Sequence, residues 1–151
     1  MGNIFNQDFQ DFIKAFHEAK VDYILVGGYS VIMHGYSRST GDMDIWVRKT
    51  QDNYQRIKIA FNIFRMPMFD MTPERFMSNE NDVFTFGRSP VAIDLITELK
   101  GLSFNQAFHN SSLVQVENIE VRLIQLNDLI NAKKASARLK DLDDIDHLNH
   151  E

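Results

Sequence analysis

Asp42 and Asp44 stand either side of a single methionine at the head of the apolar segment DMDIWV. In a strand, residues two apart point to the same face and lie roughly 6.5 Å apart along the chain. Both carboxylates therefore project together, while Met43, Ile45 and Val47 pack on the opposite face. Such a segment needs a sheet with a core on one side. On the other side it needs solvent or a positive charge, because like charges this close repel.

The segments around it supply the rest of a mixed sheet. Phe5, Phe9, Phe12, Ile13 and Phe16 recur at helical spacing, which predicts an amphipathic helix over Asn6 to Ala19. DYILVGG reads as a short buried strand ending at Gly27 and Gly28, and SVIMHGY as a short helix that Ser30 begins. A helix is expected from Asp52 to Phe64, capped by Thr50 or Asp52. RMPMFDMTPERFM carries two prolines and reads as loop with one helical turn. DVFTFGRSPVAIDLIT reads as two strands joined by a Gly-Arg-Ser-Pro turn, FNQAFHN as a short helix, and LVQVENIEVRLIQ as a hairpin about Glu117 and Asn118. From Leu126 the apolar pattern turns helical, through Leu129 and Ile130 and then Leu142, Ile145 and Leu148. Strands mixed with helices make the class α/β or α+β.

A chain of 151 residues with 44% hydrophobic and 25% charged residues is expected to form one domain. The net charge of −5 does not advertise general nucleic-acid binding, which scales with Lys and Arg at phosphates. The absence of cysteine excludes disulfides and thiol chemistry. No apolar run is long enough to span a membrane, and MGNIFNQDF has no basic region followed by an apolar stretch. A cytoplasmic location without membrane partners is the expectation.

Asp94 is the second anomaly. It lies inside VAIDLIT, where a charged group is costly unless paired or bound to a metal. With Asp42 and Asp44 it makes a hard oxygen-ligand set suited to Mg²⁺, and two such ions can clamp the attacking and leaving oxygens of a phosphoryl transfer. Gly27 and Gly28 let the backbone turn tightly and approach a phosphate, and Ser30 adds a hydroxyl nearby. Each feature also has a plainer reading: solvated acids at a strand start, an edge-strand Asp facing water, an ordinary strand-to-helix turn. Arg38 can pair with the aspartates or a phosphate, or be a surface arginine. Lys133 can be a solvated helix residue. Arg138, Lys140, Asp141 and Asp144 suit an ion-pair network closing the last helices. His34 suits packing or capping, and Trp46 the core.

VGG followed after thirteen residues by DMDI, with a later Asp inside a strand, resembles the nucleotidyltransferase superfamily, the polymerase-beta-like fold. HGYSRSTGDMDI and DLINAKKASARLKDLDDIDHL look like its small bacterial branch of abortive-infection-type toxins and minimal nucleotidyltransferases. Gly41 departs from that branch, which often has Thr or Lys there. The resemblance runs from Tyr23 to Leu148. It implies a mixed central sheet flanked by helices, with a catalytic core over about 20–125 and a C-terminal helical pair over about 126–149. It implies transfer of a nucleoside monophosphate from an NTP to a hydroxyl of tRNA, protein or a small molecule, with pyrophosphate released, in a toxin–antitoxin or phage-defence setting. Asp42, Asp44 and Asp94 would be the catalytic metal ligands, for two Mg²⁺ ions. Gly27, Gly28, Ser30, Arg38 and Lys133 would hold the nucleotide. A small helical cognate protein is a candidate partner. The rival reading is a nucleotide-binding antitoxin or partner module of the same fold with little catalysis.

Overall fold

Four apolar side chains spaced three, four and seven apart, Phe9, Phe12, Ile13 and Phe16, drive the first helix, α1 (Gln7–Glu18), into the core. Asn6 caps it, its side chain accepting from the Phe9 amide at 2.9 Å. A computed structural model describes residues 6–36, 41–87, 92–136 and 139–149. After α1 come β1 (Tyr23–Val26), α2 (Gly27–Met33), β2 (Asp42–Val47), α3 (Gln51–Phe64), α4 (Pro73–Met77), β3 (Val83–Phe86) and β4 (Ala92–Ile96). The chain closes with α5 (Phe104–Asn110), the hairpin β5 (Ser112–Val116) and β6 (Ile119–Leu123), then α6 (Leu126–Ser136) and α7 (Leu139–Asn149).

The strands form one mixed sheet in the order β3-β4-β2-β1-β6-β5. β2 runs antiparallel to β1 and parallel to β4, and β1 runs parallel to β6. Alternation along the strands sorts the side chains to two faces. Tyr23, Leu25, Met43, Ile45, Ile93 and Leu95 meet the phenylalanines of α1 and the apolar stripe of α3. Ile24, Val26, Trp46 and Ile124 meet Ala107, Leu129, Ile130, Ile145 and Leu148 from α5, α6 and α7. Asp42, Asp44 and Asp94 share the parity of this second face.

One local expectation changes, at α2, while the single helical turn expected in the proline-containing segment is present. α2 starts at Gly27, not at Ser30, because β1 turns straight into the helix through the positive φ of Gly27, 70°. Ser30 lies inside the helix, and its hydroxyl donates back to the Gly27 carbonyl at 2.6 Å. The proline-containing segment holds a capped short helix, α4, with the Thr72 side chain accepting from the Arg75 amide at 3.2 Å and Pro73 opening the first turn. α3 is capped by Thr50, one of its two candidate caps.

At the far end of β1, the Tyr23 oxygen accepts the Arg122 amide at 3.1 Å and lies 2.7 Å from His17 Nε2. The Tyr23 hydroxyl donates to that nitrogen when the ring is neutral with its proton on Nδ1. Burial pushes the Tyr23 hydroxyl up to about 12. Burial also holds His17 below its usual pKa; the Glu120 carboxylate opposes this and Arg122 adds to it. The unfolded chain therefore takes up a proton at His17 that the folded chain resists. Stability from this site is complete above about pH 6.5 and falls as pH drops toward the folded value. The midpoint of urea unfolding is expected to fall between about pH 7.5 and pH 5.5, and to fall less in His17→Gln. An equal fall in both proteins would remove His17 from the cause.

Candidate active site

The site is assembled where β1 ends beside β2. Val26 stands opposite Asp44, so the residue after it, Gly27, begins α2 against the Asp44 side chain. A Cβ placed on Gly27 would come 2.7 Å from Asp44 Cβ and 2.8 Å from its Cγ. The carboxylate thus occupies the space that any other residue at 27 would need. The positive φ adds a second reason for glycine. Gly27→Ala is expected to strain the backbone by about 1–2 kcal/mol and displace Asp44. Turnover should fall well beyond what the modest loss in Tm accounts for. Full activity in the variant would show that the carboxylate needs no such seat.

β4 brings the third carboxylate. In the parallel β2–β4 register, Asp44 pairs with Asp94 and Asp42 with Ala92. Neighbouring strands lie about 4.8 Å apart, so Asp44 and Asp94 are side by side, with Asp42 one step along the same face. All three are part-buried at the rim of the sheet. Asp94 Oδ1 accepts a hydrogen bond from Thr85 Oγ1, across the β3–β4 pair, at 2.7 Å. Among the described residues, no three or more His, Cys, Asp or Glu side chains are gathered into a ready-made metal cage. The donors nevertheless fit a hard divalent cation of the Mg²⁺ type. Such an ion takes one or two carboxylates and fills its shell with water and phosphate oxygens, so it needs no closed protein cage.

The C-terminal helices close over this end. A cavity of about 100 Å³ is lined by Gly27 and Asp44 on one side and Lys133, Ser136 and Asp141 on the other, with Leu129 and Ile96 in its apolar wall. Lys133 is buried, not solvated. Its Nζ lies 3.1 Å from Asp141 Oδ1 and 3.2 Å from Asp144 Oδ2, and Ser136 donates to the other Asp141 oxygen. The ion-pair network read for the last helices is thus present in Asp141 and Asp144, with Lys133 at its centre. The larger open grooves, about 690 and 520 Å³, lie along α1 and α3 and carry none of the three site carboxylates.

Several sequence candidates are placed less directly. Arg38 and Arg138 lie outside the described residues, as does the side chain of Lys140. Gly28 and Ser30 are buried. His34 caps α2 and donates from Nε2 to the Ile124 carbonyl at 2.7 Å, a packing role. Trp46 is in the core, edge-on to Phe104 at 5.2 Å. Thr85 is the residue that sequence reasoning passed over. Its signal was the alternation in VFTF, which puts Thr85 on the face away from Phe84 and Phe86.

The mixed sheet with its flanking helices, and the carboxylates at one rim, can be set beside known nucleotidyltransferases. A candidate nucleotidyltransferase of Thermotoga maritima, TM1012, matches with a TM-score of 0.63 at 15% identity, over 95% of this chain and 91% of that one. The lincosamide antibiotic adenylyltransferase LnuA, in its lincomycin-bound form, matches with a TM-score of 0.58 at 14% identity, over 98% of each chain. At these identities the likeness is one of fold. A search of curated protein sequences finds no match. Residues 6–149 match the family described as "nucleotidyltransferase of unknown function", DUF6036. The chain belongs to that family, and its class of reaction is nucleotidyl transfer.

Proposed function

We propose that this nucleotidyltransferase uses Mg²⁺ and transfers a nucleoside monophosphate from an NTP to a hydroxyl acceptor. The observation that carries the reading is the register of Asp44 with Asp94, together with the seat that Gly27 leaves for the Asp44 carboxylate. In the reaction, the acceptor oxygen forms a bond to the α-phosphorus. The bond from that phosphorus to the bridging oxygen of the β-phosphate breaks, and pyrophosphate leaves. Asp42, Asp44 and Asp94 would hold the metal, and Asp94 would take the acceptor proton. Bound Mg²⁺ would supply neutralisation of the charge that builds on the phosphate oxygens.

The remaining residues position the nucleotide. The backbone about Gly27 and Gly28 approaches the β- and γ-phosphates, and Ser30 fixes that backbone through its bond to the Gly27 carbonyl. Lys133 lines the cavity beside Asp44 and is assigned to the triphosphate, which would have to share its ammonium with Asp141 and Asp144. Arg38 is assigned to the same anion. This division of labour suits phosphoryl transfer, in which positioning and electrostatics carry most of the catalysis.

The acceptor is a hydroxyl on tRNA, on protein or on a small molecule. The likeness to LnuA over nearly the full length of both chains makes a small hydroxylated molecule the first to test. A toxin–antitoxin or phage-defence setting, with a small helical cognate protein, is the biological context we assign. Among the described residues, no helix is long and apolar enough to cross a membrane. The test is incubation with each α-phosphate-labelled NTP and Mg²⁺, together with total tRNA, lysate protein or a panel of hydroxylated small molecules. Label is expected in one acceptor class and absent with Asp44→Asn. Equal labelling by the wild type and the variant would overturn the proposed site.

A further inference from the structure

Thr85 stands opposite Asp94 in the antiparallel β3–β4 register, and its hydroxyl donates to Asp94 Oδ1 at 2.7 Å. β3 is an edge strand. Its Phe84 and Phe86 are buried on one face, while Val83 and Thr85 are exposed on the other. Packing on that outer face therefore does not demand a hydroxyl, and valine is well suited to a strand. What threonine adds is a donor at a defined place, carried on a side chain with a stiff χ1.

A carboxylate free to rotate about its last bond offers its oxygens in many directions. A donor on Oδ1 fixes the carboxylate plane and leaves Oδ2 for another partner. Groups that orient a metal-binding carboxylate in this way commonly set metal affinity. We propose that Thr85 is a positioning residue for nucleotidyl transfer. It orients Asp94 so that one carboxylate oxygen is presented to the divalent cation beside Asp44. The proposal rests on the reading of Asp94 as a metal ligand.

The test uses Mn²⁺ as the probe, with free Mn²⁺ counted by electron paramagnetic resonance in the presence of a non-hydrolysable NTP analogue. Wild-type protein, Thr85→Val, Thr85→Ser and Asp44→Asn are compared. Thr85→Val keeps the branched shape, and circular dichroism verifies that it folds. It is expected to bind Mn²⁺ roughly tenfold or more weakly, while Thr85→Ser, which keeps the hydroxyl, stays within about threefold of wild type. Thr85→Val should also need more metal for half-maximal turnover. Mn²⁺ binding by Thr85→Val as tight as wild type would overturn the role of Thr85 alone, as would Thr85→Ser binding as weakly as Thr85→Val. Equal Mn²⁺ binding by wild type and Asp44→Asn would overturn the metal site itself, and the role of Thr85 with it.

Discussion

Asp44→Asn is expected to remove turnover by about a thousandfold or more while leaving the fold in place. The figure follows from losing about 4 kcal/mol of transition-state stabilisation, the scale on which a bound metal acts on a phosphoryl group. The substitution keeps the shape that fills the space over Gly27, so no cavity opens there. It removes one carboxylate from a face that also carries Asp42 and Asp94, which relieves repulsion in the metal-free protein. Circular dichroism should match the wild type. Asp42→Asn should behave in the same direction. A clean Asp44→Asn protein that turns over at near the wild-type rate would remove Asp44 from the site.

Lys133→Met is expected to have the largest effect on stability. The ammonium lies within 3.2 Å of both Asp141 and Asp144, whose side chains are 0% and 1% exposed. Removing it leaves two buried carboxylates facing a methyl group. Breaking a buried ion pair from one side costs about 3–5 kcal/mol. For a chain of this size that corresponds to a fall in Tm on the order of 10 °C. The loss is structural before it is catalytic, because this cluster joins α6 to α7. Activity assays on Lys133 variants are informative only below their lowered transition. There, a further loss in NTP affinity would separate the proposed phosphate contact from the helix clamp. A shift under about 2 °C would show that the cluster contributes little.

The two-residue spacing of Asp42 and Asp44 was legible in the sequence because strand parity is a local property. So was the cost of Asp94 in an apolar strand. The α1 stripe, the Thr50 cap of α3 and the β5–β6 hairpin were legible for the same reason. The adjacency of Asp44 and Asp94 was not readable from pattern alone. β4 reaches β2 as a parallel neighbour only after α3, α4 and β3 have intervened, and no local rule sets that order. The family resemblance supplied the expectation that the three acids act together. Ser30 misled as a helix start because serine is a good cap, whereas here the turn uses the backbone freedom of Gly27. Lys133 and Lys134 look alike in sequence. Only the packing of α7 on α6 places Asp141 and Asp144 around the first of them. Thr85 was hidden because no local pattern sets the β3–β4 register that puts it opposite Asp94, and the Gly-Arg-Ser-Pro turn expected between the strands falls largely outside the described residues.

The proposed reaction moves the α-phosphoryl group of an NTP, with the carboxylates of β2 and β4 holding the metal. The most direct measurement compares NTP labelled on the α-phosphate with NTP labelled on the γ-phosphate, in lysate supplemented with Mg²⁺ and purified protein. α-Label is expected to pass into an acceptor and γ-label to leave as pyrophosphate, and neither is expected with Asp44→Asn. Transfer of γ-label to the acceptor, or α-label transfer undiminished in Asp44→Asn, would contradict it.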